Sequence, residues 1–386
     1  MYVERLSQAS SLAPLADDWN RLTAGVPFRS WDWLECWWRH YATAGSPLVG
    51  DRELCLLVVR GEHRELLGLA PWYLDHTFTH GRVIRFLGSG EVFSDYLSLL
   101  AVPGRETDVA TAVAAWLRGP GREAWDAVEL CGIAADDQVV GQLIASLHGT
   151  GLGVHVRNDL SSWRVQLPGT WDEYVANLSK THRKHLRRCE RRQIGLGGAV
   201  LHQATDEAEA SRALEILIDL HQRSWQVRGQ PGAYASARFA AFHREVVPRM
   251  FARGLVQLNW IELGGAPIAA EYQLLGDGVL YAYQGGFDPD HHDVEPGRLA
   301  ISSVLRQSID QGLRAYDLLR GDEPYKAHWR AEPRRMLRVR VVPKHSTARV
   351  RNVVWLAEQR ARSLVKRGLE LAGQRSRPSV REASYS

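Results

Sequence analysis

A chain of 386 residues, 45% hydrophobic and 24% charged, is too long for one ordinary core and has a globular composition, neither disordered nor fibrous. Its four cysteines, Cys36, Cys55, Cys131 and Cys189, form no CxxC pair, which excludes a zinc cage and a disulfide-dense scaffold. No apolar run approaches the ~20 residues that cross a bilayer, and MYVERLSQAS lacks the apolar core of an export signal, so a cytoplasmic protein is expected.

In the first half, period and punctuation predict helices over Ser11–Thr23 and Ser30–Tyr41, then strands over Leu54–Arg60, Leu66–Leu74 and Val83–Gly88. A helix (Glu106–Leu117), a strand (Ala127–Cys131), a helix (Asp136–Leu147) and strands at Val154 and Ser162–Leu167 follow. Trp171–Gln193 reads as one long helix, with Thr170 as its N-cap and the glycines of GLGG as its stop. Next come a strand (Ala199–Gln203), helices Glu207–Val227 and Ser236–Arg253, and strands Val256–Glu262, Pro267–Leu275 and Val279–Phe287. Gly264-Gly265 and Asp277-Gly278 join these three strands as antiparallel hairpins. A helix over Pro296–Gln311, a strand over Ala315–Leu319 and a strand over Leu337–Val342 complete the pattern. The order strand, two helices, three-strand meander, helix, strand, helix, strand occurs twice, more loosely in the first half, a topological repeat that predicts two copies of one α/β domain.

The net charge of +4 is uneven. The residues from Lys344 onward carry ten Lys/Arg against three Asp/Glu, which leaves 38 basic and 41 acidic residues before them. Val350, Val353, Val354, Ala357, Ala361, Leu364 and Val365 recur there at helical steps, predicting a basic amphipathic helix before a frayed end. Such a helix packs on its own protein or lies on an anionic membrane surface. A second basic face, Lys180, Arg183, Lys184, Arg187, Arg188, Arg191 and Arg192, suits a phosphate-bearing partner or is simply solvated.

The signatures GxxxxGK[ST], GxSxG and HExxH are missing, and GLGG closes a helix instead of opening one. His291, His292 and Asp293 are adjacent and diverge, so no metal is expected. Glu271 interrupts an apolar strand and shares a face with Gln273, which makes it a candidate base if that face is buried and an ordinary wet residue if it is not. Asp322 and Glu323 are further candidates; Tyr281 and Tyr283, two residues apart, line an acceptor channel or serve as sheet packing.

The two-domain order, together with FRSWDWLECWW, SDYLSLL, LSKTHRKHLRRCERR and YDLLRGDEPYKAHW, resembles the tandem acetyltransferase-fold (GNAT) family. Its CelD-like and BioF2-like members belong here, and the FemABX peptidyltransferases are more distant relatives. The resemblance implies an α/β fold of two GNAT-like domains with mixed, mostly antiparallel sheets plus a C-terminal helix. It divides the chain into a degenerate domain (1–168), a basic linker helix (169–195), a catalytic domain (196–343) and the tail (344–386). It implies N-acyl transfer from acetyl-CoA or another acyl-CoA to an amine of a sugar or cell-surface polysaccharide or cell-wall precursor, free or nucleotide- or lipid-linked, in the cytoplasm or at the inner membrane face. Aminoacyl transfer from tRNA, and a non-enzymatic membrane- or nucleic-acid-binding protein, are the alternatives. Lys326 matches the lysine assigned to the transferring carbonyl and Tyr325 its aromatic neighbour; the plain alternative for Lys326 is a surface lysine after a turn. Asp322 and Trp329 complete that segment on the substrate side. The cofactor pyrophosphate would lie on the loop from Gln284 into the next helix, at Gly297 and Arg298. In place of the usual Arg-Gly-x-Gly-x-Gly/Ala loop stands QGGFDPDHHDVEPGRLA, which is longer and more acidic.

Overall fold

The computed structural model describes residues 1–43, 52–77 and 80–343, so the amphipathic helix expected over 344–386 lies outside the described residues. The described chain forms two compact units. In chain order, β1 (Tyr2–Leu6), α1 (Ala16–Arg21), α2 (Trp31–Tyr41), β2 (Glu53–Arg60), β3 (Leu66–Thr77), β4 (Gly81–Phe86), β5 (Leu100–Ala101), α3 (Glu106–Arg118), β6 (Ala127–Ala134), α4 (Gln138–Leu147) and β7 (Leu152–Asn158) belong to the first unit. The second comprises β8 (Ser162–Gln166), α5 (Trp171–Asn177), α6 (Lys180–Glu190), β9 (Val200–Gln203), α7 (Glu207–Gln226), α8 (Ala237–Phe251), β10 (Val256–Leu263), β11 (Ala266–Gly276), β12 (Val279–Phe287), α9 (Pro296–Asp310), β13 (Ala315–Arg320), α10 (Tyr325–His328) and β14 (Glu332–Arg334). The last strand, β15 (Met336–Pro343), returns to the first unit.

The sheets have matching orders, β1-β2-β3-β4-β6-β15-β7 and β9-β10-β11-β12-β13-β8-β14, with β5 attached to β3. Each is antiparallel except at one junction, β4 with β6 and β12 with β13. The sixth place in each sheet is taken by the strand that the other half of the sequence would supply by chain order. This differs from the expected boundaries at 168 and 343. Ser162–Gln166 pairs with β13 and β14, and Met336–Pro343 pairs with β6 and β7. Local periodicity reports that a strand exists and is blind to which sheet recruits it.

In the first unit, Ser30 caps α2 by accepting from the Trp33 N–H at 3.3 Å, and the helix buries Trp33, Leu34, Cys36, Trp37, Trp38 and Tyr41. Trp33 Nε1 donates to Ser94 Oγ at 2.8 Å, so two of the recognisable N-terminal segments are packing partners.

In the second unit, the expected helix over 171–193 is two helices. Leu178 is extended, and Ser179 starts α6 by accepting from the His182 N–H at 3.3 Å. A serine inside an otherwise helical run serves as a second N-cap. One π-type turn, Arg191–Gly195, then ends α6. Helices α7 and α8 cover one sheet face; α9, buried on nearly all sides, covers the other together with α5 and α6. Gly286 lets α7 lie directly on β12: a Cβ there would stand 2.6 Å from the His221 backbone nitrogen and 2.9 Å from the Leu217 carbonyl oxygen. Gly286→Ala is therefore expected to destabilise the second unit by ~1–3 kcal/mol, read as a lower midpoint in urea with an unchanged slope. An unchanged midpoint would mean that α7 can slide.

Candidate active site

The strand β11 alternates as expected, with Glu271 and Gln273 on the face beneath α9. Antiparallel register sets Asn259 opposite Glu271 and Gln257 opposite Gln273 on β10, and Gln203 of β9 opposite Asn259. Cross-strand partners share a face, so these side chains form one polar row across three strands. From α9, Ser303 and Gln307, one turn apart, close it from above. Asn259 Nδ2 donates to Gln273 Oε1 at 3.1 Å, Gln257 Nε2 reaches Gln307 Oε1 at 3.5 Å, and Gln307 Nε2 donates to Gln203 Oε1. Two buried amide atoms of the row, Asn259 Oδ1 and Gln273 Nε2, and Ser303 Oγ one turn from Gln307 have no hydrogen-bond partner among the described residues. Exchanging the O and N of both amides moves the open positions without filling them. Buried polar groups are nearly always paired, so this row has open valences for a polar guest.

Glu271 lies at this row, its carboxyl over Gly285, where a Cβ would stand 3.2 Å from Oε1. No ion pair or hydrogen bond holds it among the described residues, and burial alone pushes its pKa from 4.5 up to about 8. On the opposite face of the sheet, the imidazole of His221 is committed. Its Nε2 accepts from the Ala233 N–H at 3.2 Å, so Nδ1 carries the proton and donates to the Gly285 carbonyl at 3.1 Å. Burial lowers the pKa of His221 below its usual value. Among the side chains of the row, Glu271 is the one that titrates, and burial moves it toward neutrality.

The N-terminus of α9 forms a second cluster. Glu295 enters the helix in the left-handed region, at φ +57°, and its carboxylate is held by His185 Nε2 at 2.7 Å and Arg298 Nε at 2.8 Å. Burial opposes its ionisation, but these two partners outweigh it and hold its pKa below the usual value. Arg298 is buried, and the first amides of α9, those of Gly297 and Arg298, lack intrahelical acceptors. His182 of α6 stands edge-on to Trp329 at 5.0 Å and 6.2 Å from the His328 ring. Burial first, then the charges of Arg298 and His328, lower its pKa to about 4. Its Nε2 is buried without a partner among the described residues. Arg298 and Trp329 therefore come together here, with His182 and His185 as members not expected from the sequence. Upstream, Asp288 accepts from Arg223 Nη2 at 2.6 Å and pairs with His291 Nδ1 at 3.0 Å, which braces the long loop.

The segment bearing Lys326 is self-bracing. Asp317 is fully buried on β13 and accepts from Ser162 Oγ at 2.7 Å, Arg164 Nε at 2.7 Å and the Leu319 N–H at 2.8 Å. Leu319 takes φ +56°, and its carbonyl and that of Gly321 each accept from Lys326 Nζ at 3.0 Å. Glu323 Oε2 lies 2.8 Å from the same nitrogen. Lys326 is buried, not a surface lysine, and its three protons match three acceptors. Asp322 is exposed and accepts from Trp163 Nε1 at 3.1 Å, while Tyr325 packs on the core beneath α9.

A β-bulge between Tyr272 and Gln273 makes Tyr283 the extra residue of β12, which breaks the expected alternation of Tyr281 and Tyr283. Tyr281 pairs with Leu274, on the face away from Glu271, with the Arg164 guanidinium 5.9 Å above its ring. Tyr283 Oη lies 3.2 Å from His243 Nε2 of α8, and Gln284 pairs with Tyr272 on that same side. Beyond Tyr281 the strands separate, since β12 pairs with β13 only over Val279–Tyr281 against Ala315–Asp317.

Residues 180–327 match the family model described as an acetyltransferase (GNAT) domain. No curated protein matches the sequence significantly. Among solved structures, FemX is similar over 87% of this chain and 97% of its own, at 10% identity and TM-score 0.58. A conserved protein of unknown function from Bacteroides thetaiotaomicron is similar over 88% and 99%, at 9% identity and TM-score 0.57. The C-terminal domain of a putative lysylphosphatidylglycerol synthetase from Agrobacterium fabrum is similar over 91% and 96%, at 10% identity and TM-score 0.54. The GNAT match falls on the unit that holds the polar row, and the sheet topology occurs twice: the chain has a tandem GNAT fold, which it shares with FemX.

Proposed function

We propose that the second unit transfers an acyl group from a thioester to an amine of a sugar or of a cell-surface polysaccharide or cell-wall precursor, with Glu271 as general base. The observation that carries this reading is a buried carboxyl with no partner among the described residues, on a row of amide side chains with open valences; burial pushes its pKa up to about 8. A base works best when its pKa lies near the working pH, and such a base contributes about 10²–10⁴ in rate. Amide side chains both donate and accept, so those of the row suit a neutral, hydroxyl-rich acceptor. The amine nitrogen forms the new bond to the acyl carbon and its proton passes to Glu271; the carbon–sulfur bond breaks with its electron pair on sulfur, and the thiolate takes that proton back and leaves as the thiol.

The donor would be acetyl-CoA or another acyl-CoA, and it supplies the activated acyl group. The amides of Gly297 and Arg298 and the Arg298 guanidinium would hold its phosphates, because free N–H groups and the helix dipole favour anions there. Glu295 is kept from opposing them by His185 and Arg298. Acetyl-CoA at 100 times its Kd is expected to stabilise the protein by about 2.7 kcal/mol, a rise of roughly 5–10 °C in melting temperature. A second reading, an aminoacyl-tRNA donor, is favoured by the acidic loop where the glycine-rich one would stand and by the FemX-like fold. Absence of a shift with acetyl-CoA, together with tRNA retention at physiological salt, would select it.

A further inference from the structure

No helix among the described residues is long and apolar enough to cross a membrane. The outer side of α6 and the turn after it nevertheless carry features that water alone does not reward. Lys180, Lys184, Arg187, Arg188 and Arg191 recur at four-, three-, one- and three-residue steps, which lines them along one side, and Arg192 adjoins them; all six are exposed. None is bonded to a carboxylate among the described residues, and the one acid of the helix, Glu190, is half-buried. The inner side of the helix buries Leu186 and Cys189. Directly beyond the cations, Ile194, Leu196 and Val200 are 45%, 82% and 51% exposed.

Leu196 is not on a frayed end. Its N–H donates to the Arg191 carbonyl at 3.0 Å across the π-type turn, and the Ala199 N–H donates to the Gln193 carbonyl at 2.9 Å. A Cβ on Gly197 would stand 2.7 Å from the Arg192 oxygen, so the turn needs that glycine to close. An ordered turn thus presents a leucine to solvent beside six cations that pair with no carboxylate among the described residues. We infer that this surface docks the protein on an anionic lipid bilayer, with the cations at the headgroups and Leu196, Ile194 and Val200 dipping into the interface. A nucleic acid would reward the cations and aromatic stacking, but gains nothing from exposed aliphatic side chains. A bilayer rewards both: each cation near an anionic leaflet is worth about five-fold in binding, and buried aliphatic groups add to it.

The test is co-sedimentation of the full chain with vesicles of phosphatidylcholine alone or with about one third phosphatidylglycerol, at physiological salt. The protein is expected to sediment with the anionic vesicles and not the neutral ones. Leu196→Asp, and separately R187Q/R188Q/R191Q/R192Q, should each lower that partition at least about ten-fold with unchanged thermal melting, since all five side chains are exposed. Undiminished vesicle binding by both variants would move the docking to the basic tail and overturn the assignment. Failure to bind vesicles together with salt-sensitive capture of tRNA would overturn it in favour of RNA.

Discussion

Replacing Glu271 with glutamine is expected to lower kcat/KM by at least about 10²-fold and, at pH 8, to raise stability. Both effects come from one cause. Burial without a partner lifts the carboxyl from 4.5 to about 8, so the folded state holds its proton where the unfolded chain has released it. Below pH 4.5 both states are protonated and the group contributes nothing. Between pH 4.5 and 8 the unfolded state binds fewer protons than the native one, so wild-type stability falls as pH rises, by roughly 3–5 kcal/mol in all. Glutamine keeps the shape, cannot ionise and is at home among Gln257, Asn259 and Gln273. The variant should match wild type at about pH 4 and melt several degrees higher at about pH 8, while wild-type kcat/KM climbs with an apparent pKa near 8. Equal melting of the two proteins at the higher pH would mean that water reaches Glu271, and the base assignment would fall with it.

That carboxylate is legible in the sequence because strand periodicity is local: alternation through Ile268–Leu274 puts Glu271 and Gln273 on one face with no knowledge of the partner strands. The rest of the polar row is not, although Gln257 and Asn259 interrupt β10 at the same two-residue spacing. Their meaning appears only once register lays them opposite Glu271 and Gln273. His182 and His185 are hidden among the lysines and arginines of LSKTHRKHLRRCERR, whereas the helix turns them inward to the start of α9. Strand membership is the least legible feature. Ser162–Gln166 and Met336–Pro343 both read as strands, and chain order assigns each to the sheet that does not contain it. Pairing partners far apart in sequence leave no mark in a window of a dozen residues.

Lys326→Met is expected to cost about 2–4 kcal/mol of stability, and to change activity through the turn it holds more than through the chemical step. An ammonium has three protons, and here the Leu319 carbonyl, the Gly321 carbonyl and Glu323 accept all three. For Lys326 to meet a developing oxyanion as well, one of these acceptors must let go. The tighter commitment is to the backbone. Leu319 sits in the left-handed region, which disfavours a residue with a Cβ, and the Asp317 carboxylate on its N–H and Lys326 on its carbonyl hold it there. Methionine keeps the stem in its buried channel but leaves two carbonyls without that donor, so β13 and α10 should separate more easily. The expected signature is a lowered melting temperature, a raised KM and an unshifted pH profile, with arginine failing to restore it because a planar fork cannot place three donors on this turn. Normal melting with kcat reduced about 10²-fold would reverse this assignment, placing the ammonium on the transferring carbonyl as the family resemblance implies.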